Sequence, residues 1–174
     1  MKKNKLSNYQ IFSAIFAIIL GTLLHFTYEW FNENTLIAAL SSINESTWEH
    51  LKLAFIPMLI TTIIGFFKFK NIPNFLCSKM LGIITTLGFI TSFFYTYTGI
   101  LGRNIALIDI LSFIFAVILG EYVSYRLINS NLKCNNKLAI LVLAILFLCF
   151  IIFTFNPPKI HLFQDPLTGL YGIF

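Results

Sequence analysis

The sequence predicts an all-α protein, a polytopic membrane bundle of about five transmembrane helices with its N-terminus inside and its C-terminus outside. Three observations predict it. Of 174 residues, 57% are hydrophobic and 11% charged, with mean hydropathy +0.83, whereas an ordinary soluble domain carries roughly 25% charged residues. Several apolar stretches reach the roughly 20 residues that cross a bilayer. The polar and basic residues gather in short segments between those stretches. Residues 1–174 therefore read as a single integral membrane domain.

The first span, TM1, covers 7–31 and follows a basic start with Lys2, Lys3 and Lys5. That outline resembles a signal peptide. No small-x-small cleavage site ends the run, and about 25 residues is long for a signal core, so TM1 is read as retained. Its far end gathers His25, Tyr28, Glu29 and Trp30. The connection 32–50 is apolar enough over 35–43 for a short interfacial helix. It ends in two overlapping capping-box patterns, Ser42-x-x-Glu45 and Ser46-x-x-Glu49. In each, a hydroxyl and a carboxylate can satisfy orphan amides reciprocally. TM2 covers 47–67, and Pro57 is expected to kink it.

Lys68, Lys70, Asn71, Pro73, Asn74 and Lys79 form the next connection. TM3 covers 79–101, with Tyr95, Thr96, Tyr97 and Thr98 in its last turns and Gly99 and Gly102 at its end. Glycine there suits a helix terminus. TM4 covers 104–128, with Asp109 near its start and Glu121 near its end. The basic loop 129–137 leads to TM5 at 138–155. Pro157-Pro158 stops that helix and opens a tail, 156–174, that mixes apolar residues up to Phe174 with His161 and Asp165.

Nine basic residues fall on one side of this map and three on the other. Cytoplasmic loops are enriched in Lys and Arg, so the side with nine is inside. All three histidines and six of the seven acids then fall at the outer face; Glu121, near Arg126, is read as structural or snorkelling. The formal charge of +5 reports this topology, and no basic patch interleaved with aromatics points to nucleic acid. Cys77, Cys134 and Cys149 lack the spacing of a zinc ligand set.

The densest polar run is 41–52, between TM1 and TM2, and it holds His50. His25 and Glu29 are four apart and share a helix face. They read either as ligands or base and partner, or as an intrahelical pair. Glu45 and Glu49 read either as site residues or as caps. Asp109 stands about 7 Å inside TM4, where a carboxylate is a functional candidate by default; it also suits a structural pair. Trp30, Trp48 and Tyr28 read first as belt aromatics. The tail can fold back to bring His161 and Asp165 to the same face. The catalytic candidates are thus His25, Glu29, Glu45, Glu49, His50, Asp109, His161 and Asp165. The metal-ligand candidates are His25, His50 and His161, for a divalent ion such as zinc.

Tyr28-Glu29-Trp30, Asn44-Glu45-Ser46-x-Trp48-Glu49-His50-Leu51-Lys52 and Asp165-Pro166-x-x-Gly169-x-Tyr171-Gly172 together resemble an uncharacterised family of small multi-pass membrane proteins from clostridia and related bacteria. The resemblance covers essentially the whole chain. It implies that these motifs belong together, and it supplies no activity.

The function expected is that of a multi-pass cell-membrane protein with an outward His/carboxylate site. The first reading is a metal- or acid–base-dependent enzyme acting on a lipid or envelope precursor, without an HExxH signature. The alternatives are a structural or partner-binding membrane protein and a small ion- or proton-binding transporter component. The expected partners are the bilayer, a lipid or envelope ligand at the outer face, and further copies of the chain through oligomerisation; no nucleic acid is expected. What separates the readings is whether the outer groups open on a cavity or satisfy one another.

Overall fold

The structure, a computed structural model, describes residues 2–131 and 133–173. Met1, Leu132 and Phe174 lie outside the described residues, and so does the part assigned to Phe174 in the apolar tail. The elements run α1 (Lys2–Trp30), α2 (Thr35–Ala38), α3 (Thr47–Lys68), α4 (Phe75–Leu101), α5 (Ala106–Ile128) and α6 (Asn136–Phe155), followed by a 3-10 turn at His161–Phe163. The protein is all-helical over the described residues. Five of these helices are long and apolar enough to cross a membrane. Their outer surfaces are apolar: on α1, Ile11, Ile15 and Ile19 recur every four residues and are more than half exposed. Such a stripe suits lipid as its solvent.

Two helix starts lie earlier than the hydropathy boundaries, for packing reasons. α1 begins at Lys2 because Leu6 and Tyr9 are buried against Phe75 and Ile128. α4 begins at Phe75, just past Pro73 and Asn74, so Lys79 lies more than a turn inside the helix. Where the sequence reading makes Lys79 a loop charge, the structure buries it completely. Its ammonium stands 2.6 Å from both oxygens of Glu121 and 3.2 Å from Gln10 and Ser13. Glu121, 3% exposed, therefore does not snorkel. Arg126 instead donates to the Tyr122 hydroxyl at 2.7 Å. A charge taken out of water is costly unless paired and hydrogen-bonded, and α1, α4 and α5 supply the partners here.

α3 continues unbroken through the buried Pro57. α4 and α5 meet closely where Gly82 and Gly120 face each other; a Cβ on Gly120 would lie 2.6 Å from the Gly82 carbonyl oxygen. Small residues permit such backbone approach in membrane bundles. At the basic end of the bundle, a disulfide joins Cys77 of α4 to Cys134 of the α5–α6 loop, and Cys149 is free. The main core, built on Phe55, Ile83, Val117 and Phe150, fills the space between this end and the other. At that other end α1, α4 and α6 finish and α3 and α5 start, and the candidate site lies there.

Candidate functional site

The connection after α1 doubles back sharply: Asn32 and Glu33 take left-handed backbone angles, φ 51° and 57°. Ser41 then fastens the returning chain to α1. Its hydroxyl donates to the Leu24 carbonyl at 2.5 Å and accepts from the Tyr28 amide at 3.2 Å. Asn44 fastens the next stretch to the tail, donating to the Gly172 carbonyl at 3.1 Å and accepting from the Ser46 amide at 2.9 Å. Glu45 is held between these anchors.

Two overlapping capping boxes cannot start one helix, and the structure uses half of one. Ser46 caps α3, accepting from the Glu49 amide at 3.4 Å. The reciprocal half is absent, because the Ser46 amide goes to Asn44 and the Glu49 carboxylate turns inward. There it meets Lys52 Nζ at 2.7 Å, Thr154 Oγ1 at 2.8 Å and the Ile43 amide at 3.2 Å. Lys52 also reaches the Ala38 carbonyl at 2.8 Å. Glu49 and Lys52 are buried and satisfied. Ser42 donates to the Asn44 carbonyl at 2.8 Å, so Glu45 caps nothing and its carboxylate is left for other partners.

Those partners are two histidines from different helices. His50, in the first turn of α3, has Nδ1 3.0 Å from the Ser46 carbonyl. A carbonyl only accepts, so Nδ1 carries a proton and, in the neutral ring, Nε2 presents its lone pair. That Nε2 lies 3.5 Å from one oxygen of Glu45, and His25 Nε2 lies 3.8 Å from the other. One ligand atom from each of His25, Glu45 and His50 fits within 4.8 Å of the other two. The two imidazoles are about a third exposed and the Glu45 side chain 42%. His25 Nδ1 is buried and has no hydrogen-bond partner among the described residues.

These residues line a cavity of 370 Å³ between α1, α3, α4 and α5. Its other walls include Phe26, Leu53, Ile90, Ile110 and Phe113, with Asp109 on the α5 side. Asp109 accepts a hydrogen bond from the Tyr97 hydroxyl, which in turn accepts from the Ile105 amide at 3.3 Å.

The approach of α1 to α3 has a local cause. Pro57 has no amide hydrogen, which frees the carbonyl of Leu53 four residues earlier. Gly21, four residues before His25, packs against that carbonyl. A Cβ there would stand 2.5 Å from the Leu53 oxygen and 2.7 Å from Phe113. Gly21→Val is expected to push α1 off α3 and part His25 from His50. Overpacking of this kind costs roughly 1–3 kcal/mol. Thermal unfolding in detergent reads the effect, and an unchanged melting temperature would refute this account of the contact.

The structure thus brings together His25, Glu45 and His50, and sets Asp109 on the same cavity. It does not bring the other candidates there. Glu29 is exposed, and its carboxylate makes no hydrogen bond or ion pair with a described residue. Glu49 belongs to the buried pair with Lys52. His161 is exposed in the 3-10 turn, 3.1 Å from Gln164. Asp165, 3% exposed, accepts from the Leu167 amide at 2.7 Å and shapes the turn of the tail. The tail lies against the bundle through Phe163, whose ring is 4.8 Å from Trp48; Trp48 packs there and on Phe150, 4.5 Å away, rather than standing in an outer belt. Glu45 was legible as a candidate but not as the centre of the cluster. The hint was the pair of capping boxes, one carboxylate more than a single helix start needs.

One family profile matches residues 1–173, described as "Family of unknown function (DUF6512)", and the chain belongs to that family. No curated protein and no solved structure matches the chain.

Proposed function

We propose that this member of a family of unknown function holds one divalent ion, zinc foremost, on His25, Glu45 and His50, and acts as a hydrolase on a lipid or lipid-linked envelope precursor at the cell membrane. One observation carries the reading. Two imidazole Nε2 atoms from separate helices converge on one carboxylate in the wall of an apolar cavity. Two histidines and one carboxylate form a donor set of catalytic zinc, which leaves a fourth position open. Ligands of a tetrahedral zinc stand about 3.4 Å apart, from bond lengths near 2.0–2.2 Å. The 3.5 and 3.8 Å separations run to different oxygens of Glu45, and one atom from each residue fits within 4.8 Å of the others, so binding draws the three side chains together by up to about 1.4 Å. The His50–Ser46 hydrogen bond is the outer support that orients a ligating imidazole.

A bound divalent ion would supply a Lewis acid for a carbonyl or phosphoryl oxygen. The chain's own residues do the rest. Apolar walls hold the substrate and thin the water. Asp109, oriented by Tyr97 across the cavity, is placed to hold or pass a proton. The purely structural reading suits Glu49, Lys52 and Asp165, which are satisfied by protein partners. It does not account for the triad, which faces open space. A transport path through Asp109 and Glu121 is disfavoured because Lys79 closes on Glu121.

The same reading keeps the N-terminus in the cytoplasm and the site outside. Burial removes Lys79 and Lys52 from the count of loop charges, one from each side, so the imbalance persists. The Cys77–Cys134 bond lies at the end this assigns to the cytosol, where thiols are kept reduced. Loop charge acts during insertion and so sets the orientation, whereas the redox state of a cysteine pair follows the compartment in which it comes to lie. Intact cells should therefore leave both cysteines unlabelled by an impermeant maleimide under reducing conditions. Labelling at Cys134 from outside would invert the orientation.

The test of the metal reading is elemental analysis of the purified, folded protein. One divalent ion per chain is expected, retained in His161→Ala. Folded wild type without metal, and unable to take up zinc, would overturn it and leave the triad as a polar cap on the bundle.

A further inference from the structure

Building on that site, we infer that its ligand is a single-chain amphiphile with an anionic phosphoryl head, the chain lying between α1 and α5 and the head held by Arg103. The inference rests on the proposal that this cavity is where the substrate binds. Two adjoining cavities carry it. The first, 370 Å³, is the one walled by apolar side chains and the triad. The second, 470 Å³, shares Phe94, Asn104 and Pro166 with the first and adds Arg103 from the α4–α5 turn. Pockets for small ligands run about 300–1,000 Å³. The first is at the small end of that range, which suits one chain rather than two.

Arg103 is the charged side chain that the α4–α5 turn presents beside this cavity. It is exposed and makes no ion pair or hydrogen bond with a described residue. The ionisable groups of this end are mostly acids, among them Glu29, Glu33 and Glu45; of the other cations there, Lys52 is consumed by Glu49 and Lys159 stands exposed in the tail. Gly102, at φ 69°, ends α4 in the left-handed conformation and sets the turn that presents Arg103. A guanidinium is planar and binds phosphate oxygens two at a time. On the chain side, Phe26 of α1 and Ile110 of α5 line the cavity and are 43% and 57% exposed. A hydrocarbon chain can pass between them from the bilayer without crossing water. The bond joining chain to head then falls where the two cavities adjoin, at Phe94, Asn104 and Pro166.

The test is calorimetric titration of the full chain in maltoside micelles with dodecyl phosphate, dodecanol and inorganic phosphate. Dodecyl phosphate should bind saturably. Dodecanol should bind at least about tenfold more weakly, the scale of a lost charge-assisted contact, and inorganic phosphate should not displace dodecyl phosphate at equal concentration. Arg103→Gln should bring dodecyl phosphate down to the level of dodecanol while metal content stays at the wild-type value. Ile110→Trp, which fills the chain cavity, should weaken both dodecyl compounds. Equal binding by Arg103→Gln and wild type, equal binding of dodecanol and dodecyl phosphate, or full displacement by inorganic phosphate overturns the inference. Metal-free wild type that still binds dodecyl phosphate through Arg103 overturns the metal reading alone. Metal-loaded wild type that ignores dodecyl phosphate overturns this inference alone.

Discussion

Glu121→Ala is expected to be the most destabilising change among the polar residues of the bundle. The mutation leaves Lys79 with its ammonium fully buried and without the carboxylate that meets it at 2.6 Å. Removing one partner of a buried ion pair costs about 3–5 kcal/mol, because the other charge stays buried and uncompensated. Gln10 and Ser13, each 3.2 Å away, offer dipoles but no counter-charge. Ser13 would itself lose its 2.8 Å contact with Glu121, although it keeps Thr61 at 2.7 Å. Lys79→Met should cost a similar amount for the mirror-image reason. The double variant Lys79→Met/Glu121→Leu should recover most of the loss, since neighbouring partners are not additive and a well-packed apolar pair replaces a buried ion pair at little cost. Reversible unfolding in mixed detergent would measure all three. A single variant within about 1 kcal/mol of wild type would mean that the pair is already hydrated or neutral.

The second large effect separates two glutamates four residues apart. Glu45→Gln removes one of three ligands, and metal affinity should fall by more than the roughly 10–100-fold lost when only an outer support is removed. Its stability without metal should change by no more than about 0.5 kcal/mol, because Glu45 caps nothing and is 42% exposed. Glu49→Gln should do the reverse. It keeps the three ligands but uncouples Lys52, buried and paired at 2.7 Å, so the protein loses stability while still binding metal. Elemental analysis and unfolding on the same preparations decide the matter. If Glu45→Gln binds metal like wild type, the cluster is not a metal centre.

Much of the site was visible in the chain before any fold. The run 41–52 announced itself because polar groups are rare in so apolar a sequence, and a rare polar group beside a membrane span needs a reason. Assigning a reason to each group was a different matter. Spacing offered Glu29 as the partner of His25, because i,i+4 residues share a face. The partner the structure supplies is Glu45, twenty residues on, brought back by the turn at Asn32 and Glu33 and the Ser41 anchor. Sequence position groups His161 with the other histidines because all three fall at one end; the tail docks through Phe163 and leaves His161 exposed. Hydropathy places a boundary at Lys79 and so makes it a loop charge. Its long side chain reaches Glu121 on another helix, a pairing that no local pattern encodes.

The number and order of the long helices, and the gathering of polar residues at their ends, are written in the order of the residues. Both follow from local facts, the length of apolar runs against the thickness of a bilayer and the positions of Pro, Gly and capping residues. Which ionisable groups neutralise one another, and which face a cavity, is settled by the folding of the helices against one another. That choice depends on contacts between residues far apart in the chain. Glu49 reaches Thr154 and Lys79 reaches Glu121. His25 comes within reach of His50 because Gly21 lets α1 settle on the carbonyl that Pro57 leaves free.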